Sequence, residues 1–477
     1  MRFKMKFLNP FLLLVFLLSS TVLFSRAGGG GGGSSSSGSS SSSHSSYSSS
    51  SHHSSGHGTQ APPWVVKIVV ALVLGVVLFF IIVIVKAIIY AKRNPDPPGE
   101  QRPKKLANST VVESLIKSNP GFQTDAFIAK VKIAFLAIQK AWQNQDLSMV
   151  RNWISDGLYQ RFILQFDMMN QLGQKNMLTN ISIIKVEYMK AYTEGSFSVI
   201  TVAIYFQMND QFISEKMPEL NENYIAEHGM EYWTFIKKSG AINKNLYTDN
   251  SCPNCGNELN TNGGEVSKCP SCQTITYLGD YDWFLSDITQ EEDYDDDINE
   301  DVNKDNILAL FKSEDACMQT LEDKAAKAFI HYLFASAWNK PELFNRFGTP
   351  EVVANLRNEN DKPFIYNRFY INRVTFSDSV FEDHLYHLSF EIVYTSQRVR
   401  LLNGKIRKLD KEIETHWGEI TLSRKEGKTR SKSRLWSYEC AHCGAPYIDS
   451  ISTVCTYCNE KINTSDYEWI VTSINKA

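Results

Sequence analysis

Eight of the nine cysteines in this 477-residue chain fall into four Cys-x-x-Cys pairs, and the pairs are themselves grouped: Cys252/Cys255 with Cys269/Cys272, then Cys440/Cys443 with Cys455/Cys458. Thirteen residues separate the pairs of the first group and eleven those of the second. That spacing suits two facing knuckles around one tetrahedral ion, and in an oxidising compartment it would also suit disulfides. The choice depends on which side of a membrane the cysteines lie.

Residues 68 to 85 form an uninterrupted apolar run, extended by its flanks to Tyr90. Eighteen such residues predict a transmembrane helix, placed over 63–91. Lys86, Lys92, Arg93, Arg102, Lys104 and Lys105 follow the run, whereas Lys67 precedes it, so the chain after residue 92 is expected in the cytoplasm. Ahead of the span, Arg2, Lys4 and Lys6 lead into the apolar stretch Phe11 to Leu18, and Ser25-Arg26-Ala27 offers a cleavage site, the pattern of a signal peptide over 1–27. A Gly/Ser/His-rich segment over 28–62 is too poor in apolar side chains to offset ordering entropy and is expected to be disordered. Its histidines, His44, His52, His53 and His57, read as part of a solvated spacer. A proline-stiffened tether covers 92–119, with Pro95, Pro97, Pro98 and Pro103.

In a reducing cytoplasm the two cysteine groups read as metal sites, and zinc is the expected ion. Cys252, Cys255, Cys269 and Cys272 are assigned to a ribbon over 250–275, and Cys440, Cys443, Cys455 and Cys458 to one over 438–461. Four thiolates leave no open coordination position, so both ions are expected to be structural. Gly256 and Gly444 follow the second cysteine of each leading pair, where a knuckle needs positive φ. His442 reads as an exposed knuckle residue and Cys317 as a thiol packed in a helix.

The rest of the chain repeats. Phe127, Val131, Phe135, Ile138 and Trp142 mark one face of an amphipathic helix, and a second, short helix with Leu147, Val150, Ile154 and Leu158 inward is expected after it. Strand patterns follow from Ile181, Ser196 and Glu231, then the first cysteine group, then YDWFLSDI. The second half repeats the order: a helix ending at Trp338, strands from Phe364, His384 and Glu414, the second cysteine group, then YEWIVTSI. In both halves a tryptophan falls eleven residues after the last cysteine. The expectation is an α+β chain in which each ribbon interrupts the connection between the last two strands of a domain, over 120–289 and 315–477.

AFLAIQKAWQNQDLSMVRNWISDGLYQRF (134 to 162) followed by these strands resembles the Tim-forty-four-like domain. The resemblance implies the cone-shaped, nuclear-transport-factor-two-like fold, with helices on a curved antiparallel sheet, in both halves. It also implies association with membranes and membrane proteins rather than chemistry. Bacterial members resemble this chain in having a signal segment, a Gly/Ser-rich stretch and a span, which implies the bacterial inner membrane. The inserted ribbons depart from the family pattern, as do Pro341 and a shorter second helix in the second half.

Net charge is −3, so charge signals are local. Residues 289–305 carry nine acids, within a linker (290–314) expected to be solvated. Gln397 to Arg434 carries twelve Lys or Arg against five acids, ending in a basic loop at 423–434, which fits anionic lipid, RNA, a fold back onto the acidic linker or an exposed strand face. No nucleophile–His arrangement, HExxH, Walker loop or GxSxG occurs, and His384 and His387 read as opposite faces of one strand. The expected function is that of a membrane-anchored, cytoplasm-facing interaction module and not an enzyme. A small-molecule-binding or enzymatic cone and nucleic-acid binding through the ribbons are the alternatives; nucleic acid is disfavoured because the ribbons carry few cations.

Overall fold

A computed structural model describes residues 25–26, 29–30, 108–119, 121–221, 225–240, 251–258, 266–272, 274–277, 281–291, 293–294, 307, 310–311, 317–356, 362–427, 442–443, 452–461, 464–466 and 468–476. The expected span, most of the signal, spacer and tether, the end of the basic loop, Cys440 and Gly444 lie outside the described residues. Ser25–Arg26 and Gly29–Gly30 pair as a two-residue antiparallel ladder. No described helix is long and apolar enough to cross a membrane.

Helix α1 (Asn108–Ser118) and α2 (Thr124–Asn144) open the first half. The stripe Phe127, Val131, Phe135, Ile138 and Trp142 is buried, as its spacing requires. Gln145 adopts the left-handed conformation (φ 53°), and its N–H closes the last turn onto Ala141 and Trp142 carbonyls. The expected short second helix takes another form. Arg151–Trp153 make one 3-10 turn, and α3 (Asp156–Leu172) then runs for 17 residues from a Ser155 cap whose Oγ accepts from Leu158 N–H at 3.0 Å. Leu147, Val150, Ile154 and Leu158 are all buried. They point inward from a turn, an extended residue and a helix start, which helical counting cannot separate.

Strands β1 (Gln174–Glu194), β2 (Phe197–Ser214) and β3 (Ile225–Lys238) form an antiparallel meander. Two short strands, β4 (Val266–Lys268) and β5 (Ile275–Tyr277), pair only with each other, and β6 (Phe284–Gln290) then returns to β3. The sheet order is β1-β2-β3-β6. Ile200, Val202, Ile204 and Phe206 of β2 join Phe135, Trp142, Trp233 and Phe235 in one core under the helices. Thr201 and Ala203, on the opposite face of β2, are also buried. Both faces of this strand are covered, which is why it reads as a continuous apolar run instead of an alternating one.

The second half follows the same plan: α4 (Met318–Ala337), a 3-10 turn at Pro341–Phe344, the seven-residue α5 (Pro350–Leu356), then β7 (Ile365–Glu382), β8 (Leu385–Leu402), β9 (Lys405–Lys408), β10 (Glu414–Lys425) and β11 (Ile470–Lys476). β8 pairs with β7 on one side and with β10 and β9 on the other. The repeat extends to single hydrogen bonds. Ser155 N–H donates to Leu285 O (2.8 Å) and Thr349 N–H to Val471 O (3.0 Å), each from a hydroxyl residue at a helix start to the strand that follows a ribbon. His384 is not on a strand: with Asp383 it forms a left-handed turn (φ 49° and 61°), and only His387 lies on β8. Cys317 lies just outside α4 rather than within it, capping its first turn, and is buried beside Tyr192, Val199 and Phe284.

The two halves share an interface that no repeat pattern announces. Asp323 of α4 accepts from Ser155 Oγ (2.8 Å) and from Gly157 N–H (3.1 Å), so a carboxylate from the second half caps a helix of the first. A chain of buried amides crosses lower down: Gln174 Nε2 donates to Asn367 Oδ1 (2.8 Å), and Asn367 Nδ2 to Gln397 Oε1 (2.9 Å). The Arg368 guanidinium lies 3.7 Å from the Phe212 ring centre. The linker is not wholly solvated as expected, since Tyr294 stacks on Tyr232 and Ile307, Leu310 and Phe311 are buried in the second core.

Burial pushes Asp323 up to about 7, against the pull of Arg161 and the Ser155 hydrogen bond, and burial followed by the nearby Asp287 charge pushes Glu322 up to about 8. Both carboxyls therefore hold protons more tightly in the folded chain. That stability is complete below the ordinary carboxyl range and is lost as pH rises through 7 to 8. Melting should thus become at least about 1 kcal/mol less favourable on acidification from about pH 8.5 to about pH 6. Asp323→Asn with Glu322→Gln should flatten the profile, and an unchanged slope in that variant would remove this assignment.

Candidate metal centres

The ribbon sequences bend twice because Cys-x-x-Cys presents successive backbone N–H groups around its own sulfurs. In the first, Gly256 N–H donates to Cys252 O (2.8 Å), Cys252 N–H to Asn257 O (2.6 Å) and Cys269 N–H to Thr274 O (2.9 Å). Gly256 has φ 77°, the conformation expected of it. A bridge between Ser251 and Glu258 and the β4/β5 ladder hold the two knuckles face to face.

The four sulfurs of Cys252, Cys255, Cys269 and Cys272 all lie within 4.8 Å of one another. Cys252 and Cys272 sulfurs are 3.7 Å apart and those of Cys255 and Cys269 3.6 Å, far beyond a disulfide bond, and all four cysteines are free. Thr274 Oγ1 lies 3.2 Å from Cys272 Sγ, and Asn254 Nδ2 donates to that sulfur at 3.5 Å. Hydrogen bonding to Thr274 and then to Asn254 holds the Cys272 thiol down to about 5, favouring the thiolate that binds metal.

The second group repeats the knuckle. Cys455 N–H donates to Glu460 O (2.8 Å), Asn459 N–H donates to Cys455 O (2.9 Å), and Val454 bridges Lys461. Asn459 supplies the positive φ here (60°). Cys443, Cys455 and Cys458 lie within 4.8 Å of one another, and Cys440 is outside the described residues. His442 is exposed. Each group can hold a metal ion.

Each ribbon leaves its sheet between the last two strands, β3 and β6 or β10 and β11. A tryptophan clamps each return. Trp283 packs edge-on against Phe127, with ring centres 5.4 Å apart, and Trp469 lies under the Arg424 guanidinium at 4.9 Å. Arg424 is buried, and burial pulls it down to about 10. Among the described residues, no ribbon residue belongs to either large core.

Sequence reading missed a cavity of about 180 Å³ on the face of the first sheet away from its helices, where Lys190, Glu194, Asp287, Glu322 and Arg373 converge. These five charged residues come from β1, β6, α4 and β7, and only the packing of the two halves brings them together.

The family model of the Tim44-like domain, the same Tim-forty-four-like family, matches residues 109–247. No curated protein matches the chain. Among solved structures, a protein described as an "Ntf2 like protein involved in plasmid conjugation" is similar over 58% of this chain and 88% of its own, at 7% identity and a TM-score of 0.13.

Proposed function

We propose, from the premise that residues 109–247 carry a Tim44-like domain, that this chain is a membrane-anchored, cytoplasm-facing interaction module, a scaffold in the transport or assembly of membrane proteins. The family match carries the reading. The apolar run at 68–85 and the cations after it supply anchor and orientation, with the bacterial inner membrane as its place. The ions are zinc and structural. Zn–S bonds of about 2.3 Å give a tetrahedron with edges of about 3.8 Å, close to the 3.6 and 3.7 Å sulfur separations of the first ribbon. Catalysis plays no part in this proposal.

Crosslinking in native membranes, with mass spectrometry of whatever joins residues 108–477, tests the reading. Recovery of specific integral or nascent membrane proteins supports it. Recovery of none would reject it. A second reading has one observation in its favour, the 180 Å³ polar cavity, and a small molecule retained through purification of the chain would move the function there.

A further inference from the structure

The β8–β9 hairpin ends in a tight turn, Asn403-Gly404, with φ 52° and 75° at its two central residues. That turn matches the twist of the flanking strands and makes the tip rigid. Leu401 and Leu402 before the turn are 38% and 47% exposed, and Leu409 after β9 is 36% exposed. Three leucines in nine residues thus project from the sheet with no core to enter.

Cations surround them. Between Arg398 and Lys411 the chain has Arg398, Arg400, Lys405, Arg407, Lys408 and Lys411 against one acid, Asp410, which is already bound by Arg398 (2.8 Å). The ladder places Arg400 directly opposite Arg407, and Leu402 opposite Lys405. Like charges facing each other across a ladder destabilise it. Arg400 is steadied by Pro363 and Lys362 carbonyls, and Lys408 lies 3.6 Å from Glu219. Among the described residues, neither Lys405 nor Arg407 has an acidic partner.

An edge strand guarded against aggregation needs charge but not leucines, and single-stranded RNA is gripped by aromatic platforms rather than aliphatic tips. Aliphatic side chains at the tip of a hairpin, beside Lys405 and Arg407 that no acid neutralises among the described residues, match the layered chemistry of an anionic bilayer: hydrocarbon below, phosphate above. We propose that the β8–β9 hairpin is a lipid-docking finger, in which Leu401 and Leu402 enter the headgroup–acyl boundary while Lys405, Arg407 and Arg400 bind the phosphates of anionic lipids. This rests on the anchored-module reading for bringing the finger near a membrane, and it names the surface that module uses.

The test places a photoreactive p-benzoyl-phenylalanine at position 402 of the full chain. The chain is reconstituted in nanodiscs of phosphatidylcholine alone or of phosphatidylcholine with phosphatidylglycerol. One well-placed cation contributes about fivefold in partitioning, so lipid adducts should be at least about fivefold more abundant with phosphatidylglycerol. Lys405→Glu with Arg407→Glu should return the yield to the phosphatidylcholine level. Because Arg407→Glu sets an acid opposite Arg400, it strengthens the ladder, so a lost adduct does not mean a lost hairpin. Equal yields in the two discs, an unaffected variant, or capture of RNA or protein by the same probe in native membranes would overturn the proposal. Alkaline carbonate extraction reads the anchor separately: a chain that washes off membranes fails the anchored reading, while its finger is still scored on added phosphatidylglycerol vesicles.

Discussion

Gly157→Ala is expected to cost the folded chain about 3 kcal/mol or more, an unusually large effect for adding one methyl group. A Cβ at this position would stand 2.1 Å from Asp323 Oδ1 and 2.3 Å from its Cγ, separations no side chain tolerates. Asp323 is buried and its backbone belongs to α4, so relief means swinging the carboxyl away from the start of α3. That movement breaks its bonds from Ser155 Oγ and Gly157 N–H together and leaves a buried polar group without donors. Denaturant unfolding of the detergent-solubilised chain measures the loss. A double-mutant cycle locates it: Asp323→Ala removes the obstacle, so Gly157→Ala on that background should cost about 1 kcal/mol or less. A single variant within about 1 kcal/mol of the parent would mean that the halves do not press together here.

The second large effect is confined in space. Cys252→Ser should release one metal ion per chain and unfold the first ribbon, leaving the two helix–sheet halves melting nearly as before. Metal binding supplies about 10 kcal/mol or more of folding free energy to small thiolate sites, a contribution that losing one ligand removes. Among the described residues of this ribbon the buried ones are the ligands Cys252 and Cys269 themselves, and neither joins the large cores. Native mass spectrometry counts the ions, and limited proteolysis between 251 and 277 reports the unfolding. Loss of the cooperative melt of the whole chain would contradict the confinement, as would an unchanged ion count.

How much of this was legible can be read from particular residues. The stripe from Phe127 to Trp142 and the Cys-x-x-Cys spacing carry their meaning locally, since a helix period or a chelate bite is set within a few residues. The length of α3 was not legible, because Leu147 to Leu158 keep a near-helical spacing through a turn. Neither was the packing of Ile307, Leu310 and Phe311, which lie next to an acidic run whose charge dominates any composition window. The left-handed turn at His384 has no local signature, because its neighbours continue a strand pattern on both sides.

By itself the sequence determined the repeated helix–strand order, the two thiolate clusters and their insertion before the last strand, because periodicity and ligand spacing are short-range properties of the chain. Only the tertiary structure decided that the halves cap one another through Asp323 and Gly157, that amides of Gln174, Asn367 and Gln397 line up across the seam, and that cations and leucines meet on one exposed hairpin. Partners such as Gly157 and Asp323 stand 166 residues apart, and the pairing becomes favourable only when both cores have already brought the elements into contact, so it leaves no local pattern to read.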